Sequence, residues 1–334
     1  MYCLPRKLLT LPFLLGILPV VYTDGGITLK PEIFFTGKKA VTILALTTCF
    51  LWGSAYPAIK YGYKLFNIAS GNIPAQLIFA GYRFALAGAL VLIFASVIGQ
   101  KIMVAGARNW GRMVILGLGM TTIQYTFFYV GLGNTTGVKA SILNPASTFF
   151  SVILAHFLCA GDRLNRYTVA GCLIGFIGVF VVNWGGGSMD WNFHFNGEGF
   201  LILACLCMAG AGIYGKAVSQ TVNPVVMTGW QLFIGGLVLT LIGYGAGGRL
   251  TGFTVAGSVL LGYMALLSSS AFALYSILMK YNPVSRITIF TFSIPLFGAC
   301  LSAIFLGEHL LEWKNLAALL LVSSGIWLVT SRNK

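Results

Sequence analysis

Three cations stand inside stretches that otherwise carry no charge: Lys60, Arg83 and Lys216. Placing a charge at the centre of a bilayer costs about 2.5–3.5 kcal/mol even on the lenient insertion scale, so such side chains usually face a bundle interior or a water-filled path. Uncharged polar and aromatic residues accompany them in similar stretches: Trp52, Ser54, Tyr56, Gln124, Tyr125, Asn144, Ser147, Tyr214, Tyr275 and Ser293. Exposing such groups to lipid is costly, so most should point inward. Rings, hydroxyls and amides around a cation can hold a small solute with an apolar side chain and a polar backbone. That chemistry is binding and passage, with no covalent step.

Competing readings stand beside this one. Lys60 and Lys216 lie near opposite ends of their stretches, where a long stem lets the ammonium snorkel to the interface. Arg83 lies deeper and suits a structural role, donating to helix or loop carbonyls. Each tyrosine suits ordinary packing. Prolines add a second signal: Pro145 after Asn144, with Pro57 and Pro295 in other apolar stretches. A proline frees a backbone carbonyl one turn earlier, and such a group can line a cavity or only bend the helix. His156 could titrate near neutral pH, but a lone histidine is more often a packing residue. None of the seven acidic residues falls inside a predicted span. That argues against a carboxylate proton relay.

The elements that must position these groups follow from hydropathy. Of 334 residues, 57% are hydrophobic and 8% charged, with a mean hydropathy of +0.88. A soluble domain carries about 25% charged residues, so most of this surface must face lipid or protein. A span needs about 20 apolar residues. Ten such segments are predicted, near 40–62, 74–98, 110–132, 137–159, 167–184, 198–219, 224–245, 254–279, 284–306 and 313–331. Pro74 and Pro224 fall where the second and seventh begin, a position proline tolerates. Trp110, Trp184 and Trp313 fall at segment ends, at headgroup level. Gly171, Gly175 and Gly178 permit close helix packing. Residues 1–37 fit poorly: an apolar run from Leu8 to Val21, broken by Pro12 and Pro19, reads as a loosely ordered tail.

Basic residues set an orientation. Lys38, Lys39, Lys101, Arg108, Arg112, Arg163, Arg166, Lys280, Arg286, Arg332 and Lys334 fall on one side, against Lys64, Lys139, Arg249 and Lys314 on the other. The positive-inside rule places the first side, with both termini, in the cytoplasm. The net charge of +14 is spread over loops rather than gathered in a stripe, so nucleic acid is not an expected partner. Seven cysteines without a metal-type CxxC pair argue against a zinc site or disulfide framework. No P-loop of the GxxxxGK[ST] type occurs, and no cofactor is expected.

The two halves align. GYRFALAG at 81–88 lies over GWQLFIGG at 229–236, so Arg83 meets Gln231. Tyr129 meets Tyr275, Asp162 meets Glu308, and Lys60 meets Lys216. Five spans per half force the second half to enter the membrane from the opposite side. Such inverted repeats are frequent in secondary transporters. The expected fold is an all-α integral membrane protein of ten transmembrane helices. They form two inverted five-helix repeats, 38–185 and 186–334, behind a tail, 1–37.

The chain resembles the drug/metabolite transporter superfamily in its EamA-like branch over about residues 38–332. WGSAYPAIK, Arg83, GVKASILNPASTFFSVILAHFL followed by DRL, LGEHL and the ending SSGIWL carry the resemblance. Asp162 departs from it, standing where the family commonly has Glu. The resemblance implies export or exchange of a small metabolite, often an amino acid, across the cytoplasmic membrane. It also implies a cavity bounded by the first, third, fourth, sixth, eighth and ninth helices. The expected partners are a small solute and the bilayer, and one copy of the chain suffices. A membrane-embedded enzyme or a non-transporting scaffold is the alternative.

Overall fold

The computed structural model describes residues 20–23, 26–29, 31–69, 71–134, 143–160, 162, 164–183, 193–306 and 313–332. The expectations for Trp184, Lys139, Arg163, Glu308, Lys334 and residues 1–19 fall outside these. Apart from an antiparallel pair, Val20–Thr23 with Gly26–Leu29, the described elements are helical. After a short helix, Pro31–Thr36, come α1 (Lys38–Leu65), α2 (Ile73–Val97), α3 (Ala107–Leu132), α4 (Ala146–Leu158) and α5 (Arg166–Asn183). Then follow α6 (Phe195–Ser219), α7 (Pro224–Gly245) and α8 (Val255–Tyr281). The last two are α9, in three pieces (Val284–Thr288, Ile289–Ser293, Ile294–Leu306), and α10 (Trp313–Arg332).

Six of these, α1, α2, α3, α6, α7 and α8, are long and apolar enough to cross a membrane. The fourth, fifth, ninth and tenth predicted segments carry shorter apolar helices. The starts of α2 and α7 use the same device. Asn72 accepts from the Ala75 amide at 3.1 Å, and Asn223 accepts from the Val225 amide at 2.9 Å. Each Asn is followed within two residues by the helix-starting proline. The side chain satisfies an orphan amide, and the proline costs nothing where no donor is needed.

Packing follows the small residues. α2 and α7 lie against each other along most of their length, as do α5 and α10. α1 packs on α8 and α9, while α6 packs on α3 and α4. A Cβ added at Gly81 would meet Thr240 Oγ1 at 2.2 Å and the Gly236 carbonyl at 2.8 Å. One at Gly88 would meet the Phe233 amide at 2.3 Å and the Gly229 carbonyl at 2.6 Å. The backbones therefore touch where the two aligned glycine pairs cross. Gly171 and Gly175 do the same against Gly325 of α10. In lipid this close approach, rather than a hydrophobic drive, holds helices together.

The sequence reading of the acidic residues needs one correction. Glu198 lies within the span Phe195–Ser219 and is 6% exposed. Its Oε2 accepts from the His194 amide at 2.8 Å. A carboxylate is favourable there because the first turn of a helix offers orphan amides and a positive dipole end.

Candidate functional site

Two adjoining clefts occupy the centre, with about 350 and 300 Å³ of atom-free space. Met120, Gly212, Tyr275 and Met279 border both. The first is completed by Ser147, Thr148, Ser151, Met208, Ala209, Val284, Thr288 and Thr291. The second is completed by Leu116, Gly215, Lys216, Met227, Gln231 and Ser276. Each has room for about one water molecule. Helices α3, α4, α6, α8 and α9 contribute. α7 joins them through Met227 and Gln231, and Trp52 of α1 packs on the cleft residue Tyr275.

Broken helices line this centre. Asn144 and Pro145 form a turn that starts α4, and α9 loosens into a 3-10 stretch over Ile289–Ser293 just before Pro295. At each break a carbonyl takes a hydroxyl donor from three residues on, Ser147 Oγ on Asn144 O at 3.0 Å and Ser293 Oγ on Phe290 O at 2.6 Å, and a thiol from another helix adds a further donor. Cys205 Sγ of α6 donates to Asn144 O at 3.4 Å, and Cys49 Sγ of α1 donates to Phe290 O at 3.3 Å. Between the breaks, Thr148 and Thr291 share a hydrogen bond of 2.7 Å. Hydroxyls and thiols thus supplement the backbone bonds at both breaks, as suits a dry interior.

One end of the bundle is tied across. Asp162, after α4, accepts from the Val284 amide, from the Ser285 amide at 3.2 Å and from Ser285 Oγ at 2.6 Å. It is 6% exposed and caps the start of α9. Lys216 of α6 donates to the Met279 carbonyl at 2.9 Å and to the Asn282 carbonyl, closing the end of α8. A cation there meets the negative end of the helix dipole. Lys216→Met should leave those carbonyls without their donor and cost about 1–3 kcal/mol. The apparent Tm of the purified protein in detergent should fall, and Lys216→Arg should recover most of the loss. His156 takes a packing role, its Nδ1 accepting from the Leu164 amide at 3.1 Å.

The remaining candidates differ in what they touch. Ser147, Lys216, Gln231 and Tyr275 border the clefts. Trp52 packs on Tyr275 (centroids 5.1 Å apart) and Phe272 (5.3 Å), and Tyr125 packs on Phe84 (4.5 Å). Ser54 Oγ bonds Tyr263 Oη at 2.9 Å, and Tyr56 bonds the Asn144 side chain. Pro57 and Gln124 are buried, and Lys60 is exposed near the end of α1. Tyr214 is placed elsewhere, against the apolar cluster of Trp110, Trp230 and Val226. Arg83 is 4% exposed, and its Nε donates to Ser268 Oγ of α8 at 2.7 Å. Its aligned partner Gln231 donates to Thr121 Oγ1 of α3 at 3.2 Å. Sequence reasoning missed the cleft threonines, the methionines and both thiols. The repeat alignment that joins Lys60 to Lys216 also joins Cys49 to Cys205, and that signal was available.

Comparison with known proteins agrees with this architecture. The EamA-like transporter family matches residues 39–184 and 195–331. An uncharacterized transporter of Synechocystis is 26% identical, over 89% of this chain and 91% of its own. A protein of Salmonella typhimurium called a "probable amino-acid metabolite efflux pump" is 25% identical, over 85% of this chain and 93% of its own. A solved crystal structure of 16% identity superposes with a TM-score of 0.73, covering 87% of this chain and 96% of that one, and shares the fold. With both of its halves matched, the chain belongs to the EamA-like transporter family.

Proposed function

We propose that this chain is a secondary transporter, an exporter or exchanger of a small metabolite, an amino acid or related compound. It works by alternating access between two inverted five-helix repeats, 38–185 and 186–334. In this reading all ten helices span the membrane and both chain ends are cytoplasmic. The chain works as one copy without a cofactor. The carrying observation is that specific contacts occur twice, once in each sense. Gly81 with Gly236 repeats as Gly88 with Gly229. Arg83 with Ser268 repeats as Gln231 with Thr121. Cys49 with Phe290 repeats as Cys205 with Asn144. Two bundles related in this way can rock on the α2–α7 contact and open first one side and then the other. The Salmonella relative supports the amino-acid class.

The test is flux in proteoliposomes holding the purified full chain, with labelled amino acids and related metabolites, with and without a pH gradient. Saturable uptake that accelerates when unlabelled solute is preloaded is the expected result. A panel that crosses no faster than in empty liposomes overturns the reading.

A further inference from the structure

Arg83 lies ten residues into α2, ~15 Å from its start. Its Nε is used by Ser268, and its guanidinium stands 5.0 Å from the Phe84 ring centre. Nη1 and Nη2 have no hydrogen-bond partner among the described residues, and no carboxylate there pairs with the charge. Arg83 is 4% exposed, and its Nη atoms are not among the fully sealed unpartnered atoms, of which Thr126 Oγ1 is the one among the described residues. Tyr63, Tyr125 and Tyr129 are near enough to feel the guanidinium charge, and Tyr63 and Tyr129 are hydrogen-bonded together. Phe84 packs edge-on to Phe272, which packs on Trp52.

A structural role does not require this charge. At the aligned position Gln231 makes the corresponding bond to Thr121 with a neutral amide. A buried, unpaired cation is costly, and persists where something compensates it. The free edge of a guanidinium presents two parallel donors that match a carboxylate. Aromatic faces beside it suit an apolar or aromatic body.

We propose that Arg83 and the half-buried rings of Trp52 and Tyr125, backed by the core rings Phe84 and Phe272, form a subsite for an organic acid. The carboxylate is held by the Arg83 Nη pair and an aromatic or apolar side chain lies against the rings. This rests on the transport reading and narrows its substrate to acids and amino acids with such side chains.

The test measures binding of three probes to the purified full chain in detergent: phenylacetate, its methyl ester and 2-phenylethylamine. Phenylacetate should bind about ten- to a hundredfold more tightly than the other two, the worth of one charge-assisted pair. R83Q should erase that preference, and R83K should retain part of it. A merely structural arginine would not set a preference between an acid and its ester. Should R83Q fail to fold, R83K must still weaken phenylacetate by about tenfold, since it loses the two-pronged donor. A wild type without preference for the acid, or a folded R83Q or R83K with wild-type affinity for it, overturns the subsite. Amino-acid flux unchanged in R83Q also overturns it and leaves transport standing. Acid binding lost in R83Q, in a protein that moves no solute, overturns transport and leaves the subsite.

Discussion

Gly236→Ala is expected to lose most of the folded protein. The new Cβ would lie 2.3 Å from the Ala85 amide nitrogen and 2.8 Å from the Gly81 carbonyl oxygen. Both are backbone atoms of a helix packed along most of its length, so no side-chain rotation relieves the clash. Overpacking of a tight interior costs about 1–3 kcal/mol, occasionally more, and this site belongs at the upper end. Gly88→Ala should behave alike, meeting the Phe233 amide at 2.3 Å. Gly210→Ala is the control. Its Cβ would meet nothing within 4 Å, and alanine in a helix is favoured over glycine by about 0.5–1 kcal/mol. Yield of monodisperse protein and apparent Tm in detergent distinguish the two classes. Equal behaviour of Gly236→Ala and Gly210→Ala would remove the α2–α7 contact as the centre of the fold.

Asp162→Ala should be the second most damaging change. It removes three hydrogen bonds to the start of α9 and leaves two backbone amides and a hydroxyl in a buried joint. Loss of a charged cap in such a setting costs about 2–3 kcal/mol. The damage should be local to the tied end. Val284 is 0% exposed, so a Val284→Cys probe should resist maleimide with Asp162 in place and label readily in Asp162→Ala. Asp162→Asn keeps one acceptor oxygen and should fall between. Labelling that ignores residue 162 would show that the joint is held by other contacts.

The same two sites show what a single sequence can and cannot tell. Asp162 was visible as a repeat partner of Glu308, but its work as a cap was not, because Val284 and Ser285 lie more than a hundred positions away. Long apolar runs made α1, α2, α3, α6, α7 and α8 legible, since a span is a property of local composition. The interior of α9 was not legible. Its 3-10 stretch meets the Cys49 thiol at Phe290 and Thr148 at Thr291, partners far away in sequence. Cys49 and Cys205 read as small hydrophobes because a thiol in an apolar run has that role by default. Only the opened helices facing them reveal a donor function. Tyr214 shows the opposite error, where a polar aromatic in the right helix turned out to face the packing side. Helical position gives the element, but the face is decided by neighbours.

Each cleft has room for about one water molecule. A solute larger than water therefore fits only if side chains shared by both clefts, Met120, Tyr275 and Met279, move apart. Bulkier residues at these three positions would obstruct both clefts at once.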